Sequence, residues 1–383
     1  MNKKYSIIFL IDSLTEGGAE LALLMLVRAL CNQKHNVSVF SFKEQRNLAL
    51  DFKEAGATLY LPILDKTENR IEAFLRLRAV VKNNYFDIIH SSSRNTSMFL
   101  GIGFLLARHG CRVVTFQDVH FRAKPVLARF EFIKEKLLLK ILKNTCDGFT
   151  TDSKSNVIDY NKYSPEITLM HLPNCVPPID CKSNHNVDVK SLRERMGVFL
   201  EDFVIIIPAR YSLQKGHIIF FEALLILRSR GVDLPRVICY GTGDKLITLS
   251  KFIKDNNLDH KVTFNRTIPI DELQLFILAA DLVVLPSLWE SFGQVVVSSM
   301  SLGKAVLGSN TGGISEQITH DKTGFLAPPG DPLAWADELE CLLSSPSKLI
   351  AVGKAAKESI RKNRTSDEIA SELIRYYGTL LQL

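Results

Sequence analysis

The stretch Leu285-Pro-Ser-Leu-Trp-Glu-Ser-Phe-Gly-Gln-Val-Val-Val-Ser-Ser-Met-Ser-Leu-Gly-Lys-Ala-Val-Leu-Gly-Ser-Asn-Thr-Gly-Gly-Ile-Ser-Glu316 concentrates the chemistry of this chain. The apolar run Leu282 to Leu285 predicts a buried strand. Pro286 stops it, and Ser291-Phe292-Gly293 opens a helix that reaches about Leu302. A strand, a tight loop and an exposed helix start leave backbone N–H groups free, with the positive end of the helix dipole behind them, which is a ready anion site. Glu290, one loop residue upstream, is placed to accept hydrogen bonds from hydroxyl groups carried by that anion. An anion joined to a polyol describes a sugar phosphate.

Outward from this stretch, short β-branched runs alternate with amphipathic ones. Expected strands are Ser6–Ile11, Val37–Phe42, Thr58–Ile63, Asp87–Ser91, Arg112–Phe116, Gly148–Asp152 and Ile167–Leu172, with helical periods near Ala19–Cys31, Arg70–Lys82 and Thr96–Ala107. After Asn174 the pattern breaks into a polar, Pro-containing tract through Asp188. The alternation then resumes at Phe203–Pro208, Arg236–Tyr240, Lys261–Phe264, Leu282–Leu285 and Ala305–Gly308. This alternation predicts an α/β protein of two doubly wound, Rossmann-like parallel-sheet domains, residues 1–180 and 195–364, whose ligand lies at the carboxyl ends of strands in the cleft between them. Thr365-Ser-Asp-Glu368 is a capping box that opens a last helix within residues 365–383.

The bulk properties are those of a soluble globular chain: 383 residues, 46% hydrophobic, 23% charged, and no apolar run near the ~20 residues a membrane helix needs. Tyr5 to Ile11 follows two lysines, but Asp12 interrupts it without a cleavage site, so it is expected to be a first strand and not a signal peptide. The seven cysteines are scattered, with no Cys-x-x-Cys, which fits reduced thiols in a cytoplasmic protein and argues against zinc. A net charge of +6 permits an anionic membrane surface or phosphorylated substrates and carries no signature of nucleic-acid binding.

Other stretches carry candidate chemistry. Arg210 and Lys215 stand at the loop after the strand ending Ile207-Pro-Ala, where two cations would grip a diphosphate with charge-assisted hydrogen bonds. Gly241-Thr-Gly243-Asp244 follows a strand but fails as a dinucleotide fingerprint, because Leu246 stands where the third glycine belongs. Gly17-Gly18-Ala19-Glu20 opens a helix after the first strand, where bare backbone can meet a phosphate or sugar. His120 follows a strand at Thr115-Phe-Gln-Asp-Val-His120; His90 more simply ends one. Residues 121–143 carry seven basic and two acidic side chains among large apolar ones, a segment suited either to an anionic bilayer surface or to an ordinary sheet-packed helix. No Asp-x-Asp occurs, so no cofactor and a metal-independent site are expected.

The string Pro286-Ser-x-x-Glu290-x-Phe292-Gly293, then Gly303-Lys-Ala-Val and Gly312-Gly313-x-x-Glu316, resembles the nucleotide-sugar site of the retaining GT-B glycosyltransferases of family four. That resemblance implies two facing Rossmann-like domains, a last helix crossing back onto the first, and transfer of a sugar with retained configuration. It implies that Glu290 and the amides near Ser291, Phe292, Gly293 and Gln294 hold the sugar, while Arg210 and Lys215, matching the family's Arg-x4-Lys-Gly, hold the diphosphate. Gly241 and Gly243 would lie beside the base, Gly17 and Gly18 on the acceptor side, and His120 near the donor sugar. Ser298 is the departure: it replaces a second Glu, eight residues after the first, that the family uses on the ribose hydroxyls. The family's frequent role implies a lipid-linked glycan acceptor in bacterial surface polysaccharide synthesis and a place at the inner face of the plasma membrane. A nucleotide-sugar 2-epimerase and a non-catalytic GT-B partner are the rival expectations.

Overall fold

The computed structural model describes residues 3–15, 17–43, 47–62, 70–92, 111–116, 139–163, 165, 167–175, 188–361 and 365–382. The expected helix Thr96–Ala107, His120, most of the basic segment and nearly all of the linker lie outside them. The chain divides into two compact units, Met1–Pro177 with Arg364–Leu383, and Pro178–Asn363.

The first unit holds a seven-stranded parallel sheet of β1 (Ser6–Ile11), β2 (Asn36–Ser41), β3 (Thr58–Tyr60), β4 (Ile88–Ser91), β5 (Cys111–Phe116), β6 (Gly148–Thr151) and β7 (Met170–His171). Their order is β3-β2-β1-β4-β5-β6-β7. β1 is buried at five of its six positions, as a strand covered by helices on both faces must be. The expected strand Thr58–Ile63 is shorter, ending at Tyr60; Pro62 brings no N–H to a ladder. Ile167–Leu172 pairs only at Met170–His171.

His90 lies inside β4 and is no loop ligand. Its Nδ1 meets the Tyr377 hydroxyl at 2.5 Å and its Nε2 the Thr115 hydroxyl at 2.6 Å, and Thr115 in turn meets Thr150 at 2.8 Å. Burial pushes its pKa down to about 3, so the ring is neutral. Tyr377 comes from the last helix, Ser366–Leu380, whose Thr365–Glu368 capping box is formed in both directions. That helix packs on Gly18–Asn32, and Gln33 Nε2 donates to Asp367 O (2.8 Å) and Ser371 Oγ (3.1 Å).

The second unit holds β8 (Val204–Pro208), β9 (Arg236–Tyr240), β10 (Val262–Asn265), β11 (Leu282–Leu285), β12 (Val306–Ser309) and β13 (Phe325–Ala327), in the order β10-β9-β8-β11-β12-β13, all parallel. β13 carries no expectation from the sequence, since three residues are too short to show a period. Helix His217–Ser229 packs on Pro332–Leu343, with Phe220 edge-on to the buried Trp335 at 6.1 Å. Strand order reverses between β8 and β11, and at such a switch point the two following loops diverge to opposite faces and leave a crevice at the carboxyl edge. The site is positioned by that reversal. No described helix is long and apolar enough to cross a membrane.

Candidate functional site

At the carboxyl edge of the second sheet, the loops after β8 and β11 meet. Lys215, 75 residues before Glu290 in sequence, is ion-paired to it through Nζ and Oε2. Their side chains are only 14% and 11% exposed, so each charge relies on the other. Ser287 Oγ donates to the same Oε2 at 3.2 Å. Gln214 ties the loops together: its carbonyl accepts from Leu288 N (2.8 Å), and its Nε2 donates to Trp289 O (3.2 Å). Arg210 is exposed, and its Nη2 reaches Gln214 Oε1 at 3.5 Å, so most of its donors face solvent.

The turn that delivers Lys215 depends on Gly216. It adopts φ +62°, and a Cβ there would stand 1.9 Å from the Pro286 carbonyl oxygen. Directly beyond it, His217 is buried with its ring edge-on to Tyr211 at 5.5 Å. Neither ring nitrogen has a hydrogen-bond partner among the described residues. Burial first, then the Lys215 charge, holds its pKa down to about 4.

After β11, the helix spans Gln294–Ser301 with Gly293 as its N-cap at φ +82°, three residues inside the expected opening at Ser291. Ser291 and Gly293 are buried and Phe292 is half-buried. The Glu290 carbonyl accepts from Gly313 N at 3.2 Å, which fixes the loop against the helix Gly312–Gln317. Ser298 is buried in the second turn, its carbonyl accepting from Ser301 Oγ at 2.7 Å.

Gly241 and Gly243 occupy the exit of β9, and the helix that follows starts at Leu246. Gly241 N donates to Asn265 O (3.1 Å), and Thr242 O accepts from Tyr211 N (3.0 Å). A Cβ on Gly243 would lie 2.1 Å from Tyr211 O, so this loop is pressed onto the exit of β8. In the first unit, Gly17 caps helix Gly18–Asn32 after β1, with Glu20 folded back toward it and accepting from Thr15 Oγ1 at 3.4 Å.

The second unit therefore gathers Lys215, Glu290, Gly293 and, at the rim, Arg210 on one sheet edge, with Gly241 and Gly243 along it. The sequence assigns no role to Gln214 or to Ser287, although Ser287 stands in the string Pro286-Ser-x-x-Glu290; its three-residue spacing to Glu290 is the available signal. One group of possible metal ligands, His320, Asp321 and Glu338, comes together among the described residues. His320 and Asp321 stand before β13 and Glu338 in the helix Pro332–Leu343. There His320 Nδ1 accepts from Leu326 N (3.0 Å) and Asp321 pairs with Lys348 (2.7 Å).

Two family models match: Glycosyltransferase Family 4 over residues 16–178 and Glycosyl transferases group 1 over residues 188–359. Each part of the chain is thus similar to a glycosyltransferase model, the second to group 1 and the first to family 4. A D-inositol 3-phosphate glycosyltransferase of Pseudarthrobacter chlorophenolicus is 31% identical over 191 residues, 49% of this chain and 46% of that one. The chain thus spans about half the length of the curated relatives of that kind it matches. An uncharacterized glycosyltransferase of Methanocaldococcus jannaschii is 25% identical over 317 residues, covering 78% of this chain and 76% of that one.

Among solved structures, HepE of Anabaena, in complex with UDP and glucose, superposes with a TM-score of 0.81 at 19% identity over 98% of this chain and 100% of that one. Sucrose-phosphate synthase of Thermosynechococcus elongatus gives 0.77 at 18% over 98% and 99%. At that identity the likeness is one of fold, and the fold is GT-B.

Proposed function

We propose that this protein is a retaining, metal-independent glycosyltransferase that moves a sugar from a nucleotide diphosphate sugar to a hydroxyl of a lipid-linked glycan acceptor in surface polysaccharide synthesis. The observation that carries it is the meeting of Lys215, Glu290 and the Gly293 helix start at the switch point between β8 and β11. A diphosphate there takes charge-assisted bonds from Lys215 and Arg210 and amide bonds from the helix start, and Glu290 accepts from a sugar hydroxyl. As the glycosidic bond breaks, negative charge grows on the leaving phosphate that these donors hold; that is electrostatic stabilisation without a protein nucleophile. In this scheme a leaving-phosphate oxygen takes the acceptor proton on the same face, which gives retention.

UDP-glucose is the first donor to test, with a panel of other nucleotide sugars beside it, scored by thermal shift and then by transfer to membrane extracts. A bound donor raises the melting temperature by mass action. Turnover in the presence of EDTA with an α-linked product from an α-linked donor supports the proposal; an inverted product or a need for divalent metal refutes that part of it. The non-catalytic rival rests on Ser298, and binding without turnover for every donor selects it. Release of a free sugar intermediate selects the epimerase.

The basic segment supports a place at the inner face of the membrane. Its described end, residues 139–143, is helical, with Leu139 and Leu142 buried and Lys140, Ile141 and Lys143 exposed. Replacing Lys134, Lys136 and Lys140 by Glu is expected to abolish binding to anionic liposomes; undiminished binding rejects the membrane role.

A further inference from the structure

Both cation and catalytic carboxylate of the proposed site are spent on each other in this structure, yet their proposed ligands differ. A diphosphate that engages Lys215 competes with Glu290 for the ammonium. Once that ammonium turns to phosphate, a carboxylate with three rotatable bonds needs another anchor to stay aimed. Ser287 is the group that can supply it. Its hydroxyl donates to Glu290 Oε2 at 3.2 Å, the oxygen Lys215 also uses, whereas Oε1 has no hydrogen-bond partner among the described residues.

Ser287 is itself immobilised. It is fully buried, the preceding Pro286 has its carbonyl abutted by Gly216, and the following Leu288 donates its N–H to Gln214 O at 2.8 Å. Being neutral, the hydroxyl keeps its bond whichever way the Lys215 charge is directed.

We propose that Ser287 is a positioning residue that holds Glu290 Oε2, so that Oε1 meets a donor-sugar hydroxyl while Lys215 is handed from Glu290 to the diphosphate. This rests on the donor-site reading above and adds two consequences to it. First, Ser287 matters for the sugar and not for the nucleotide. Second, Glu290 weakens nucleotide binding, because it holds the cation that the phosphates need; Glu290→Gln binds a nucleoside diphosphate more tightly than wild type while transferring sugar more slowly.

The test compares wild type, Ser287→Ala, Ser287→Thr, Glu290→Gln, Glu290→Ala and the double variant Ser287→Ala/Glu290→Ala, after a panel of UDP, GDP, ADP and dTDP with their glucose conjugates has identified a donor. Calorimetry gives affinities for the nucleoside diphosphate alone and for the nucleotide sugar; steady-state kinetics give kcat and KM. A hydrogen bond to a charged group is worth about tenfold to a hundredfold here. Ser287→Ala is expected to lose that factor in kcat/KM for the donor with nucleoside diphosphate affinity within about threefold. Ser287→Thr, which keeps the hydroxyl, restores most of it, and Ser287→Ala adds nothing in the Glu290→Ala background, where no acceptor remains for the hydroxyl.

Equal loss of affinity for nucleotide and nucleotide sugar, no rescue by Thr, or the same loss in both backgrounds overturns the proposal and assigns Ser287 to architecture alone. Should Ser287→Ala not fold, the Thr variant and the nucleotide affinity of Glu290→Gln still decide: unchanged or weaker binding by Glu290→Gln rejects the handover. A wild-type protein that binds none of the nucleoside diphosphates overturns the donor-site reading itself, an outcome separate from those above.

Discussion

His90 in the first unit and the Lys215–Glu290 pair in the second are both buried polar clusters tied across long sequence distances, 287 and 75 residues, yet they differ in what is left over. His90 spends both ring nitrogens on Tyr377 and Thr115, and desolvation keeps it neutral. Nothing remains for a ligand, and the cluster locates the last helix. At Lys215 and Glu290 two charges are held at the rim of a sheet with Oε1 unspent and Arg210 turned outward. Burial of polar groups alone does not mark a functional site; unspent bonding capacity at a strand's carboxyl end does.

The largest effect that would break this contrast is at Lys215. Lys215→Ala is expected to lower kcat/KM for the donor by about 10²–10³, the usual range for removing a preorganised donor to developing charge. It also leaves Glu290 buried without its cation, which costs roughly 3–5 kcal/mol in urea unfolding. The double variant Lys215→Met/Glu290→Gln should recover most of that stability and none of the activity. If activity survives Lys215→Ala, the second cluster is no more a site than the first.

Gly216→Ala comes next. The added Cβ would meet backbone 1.9 Å away at φ +62°, so strain on the order of 1–3 kcal/mol is expected. Displacement of Lys215 should accompany it, read as weaker nucleotide binding by calorimetry.

His90→Phe sharpens the comparison from the other side. It leaves the Tyr377 and Thr115 hydroxyls without their partner, at about 1–3 kcal/mol, with donor kcat/KM unchanged.

The pH dependence follows the same two regions. His90 and His217 have folded pKa values pushed down to about 3 and about 4, below the ordinary value near 6.5. The unfolded chain therefore takes up these protons first, and stability is full above about pH 6.5 and falls as pH drops toward 4. Each histidine contributes a slope of about 1.4 kcal/mol per pH unit at most. Urea melts at pH 7, 6 and 5 should show this, and His217→Phe, which removes two unpartnered nitrogens from an aromatic cluster, should flatten the slope and raise the midpoint.

The smallest effect is Thr365→Ala, which removes the cap of the last helix for about 1 kcal/mol in the unfolding of the first unit.

Much of this fold was legible in advance. β1, β9 and β11 have the expected bounds, β2, β4, β5, β6, β8, β10 and β12 shift by a residue and β3 ends three residues early, because runs of buried β-branched residues between helical periods are local signals. β13 and the short β7 were not legible at their true lengths, since pairing with a neighbour and not composition selects those residues. The residues of the candidate site follow from their places at strand ends and from the family resemblance, whereas Ser287, although it stands in the string that carries the resemblance, has no role legible in sequence because a serine in a loop has many ordinary uses.

What the sequence determined by itself is the set of elements and the glycines at their joints, since propensity, capping and the φ demands of a turn are settled within a few residues. Only the tertiary structure decided that the loop after β8 lies against the loop after β11 and not that after β10. The order β10-β9-β8-β11 is a property of crossovers packing against the whole sheet, and no local pattern encodes it. For the same reason the pairing of Lys215 with Glu290, and of both with Ser287 and Gln214, became visible only once that order was known.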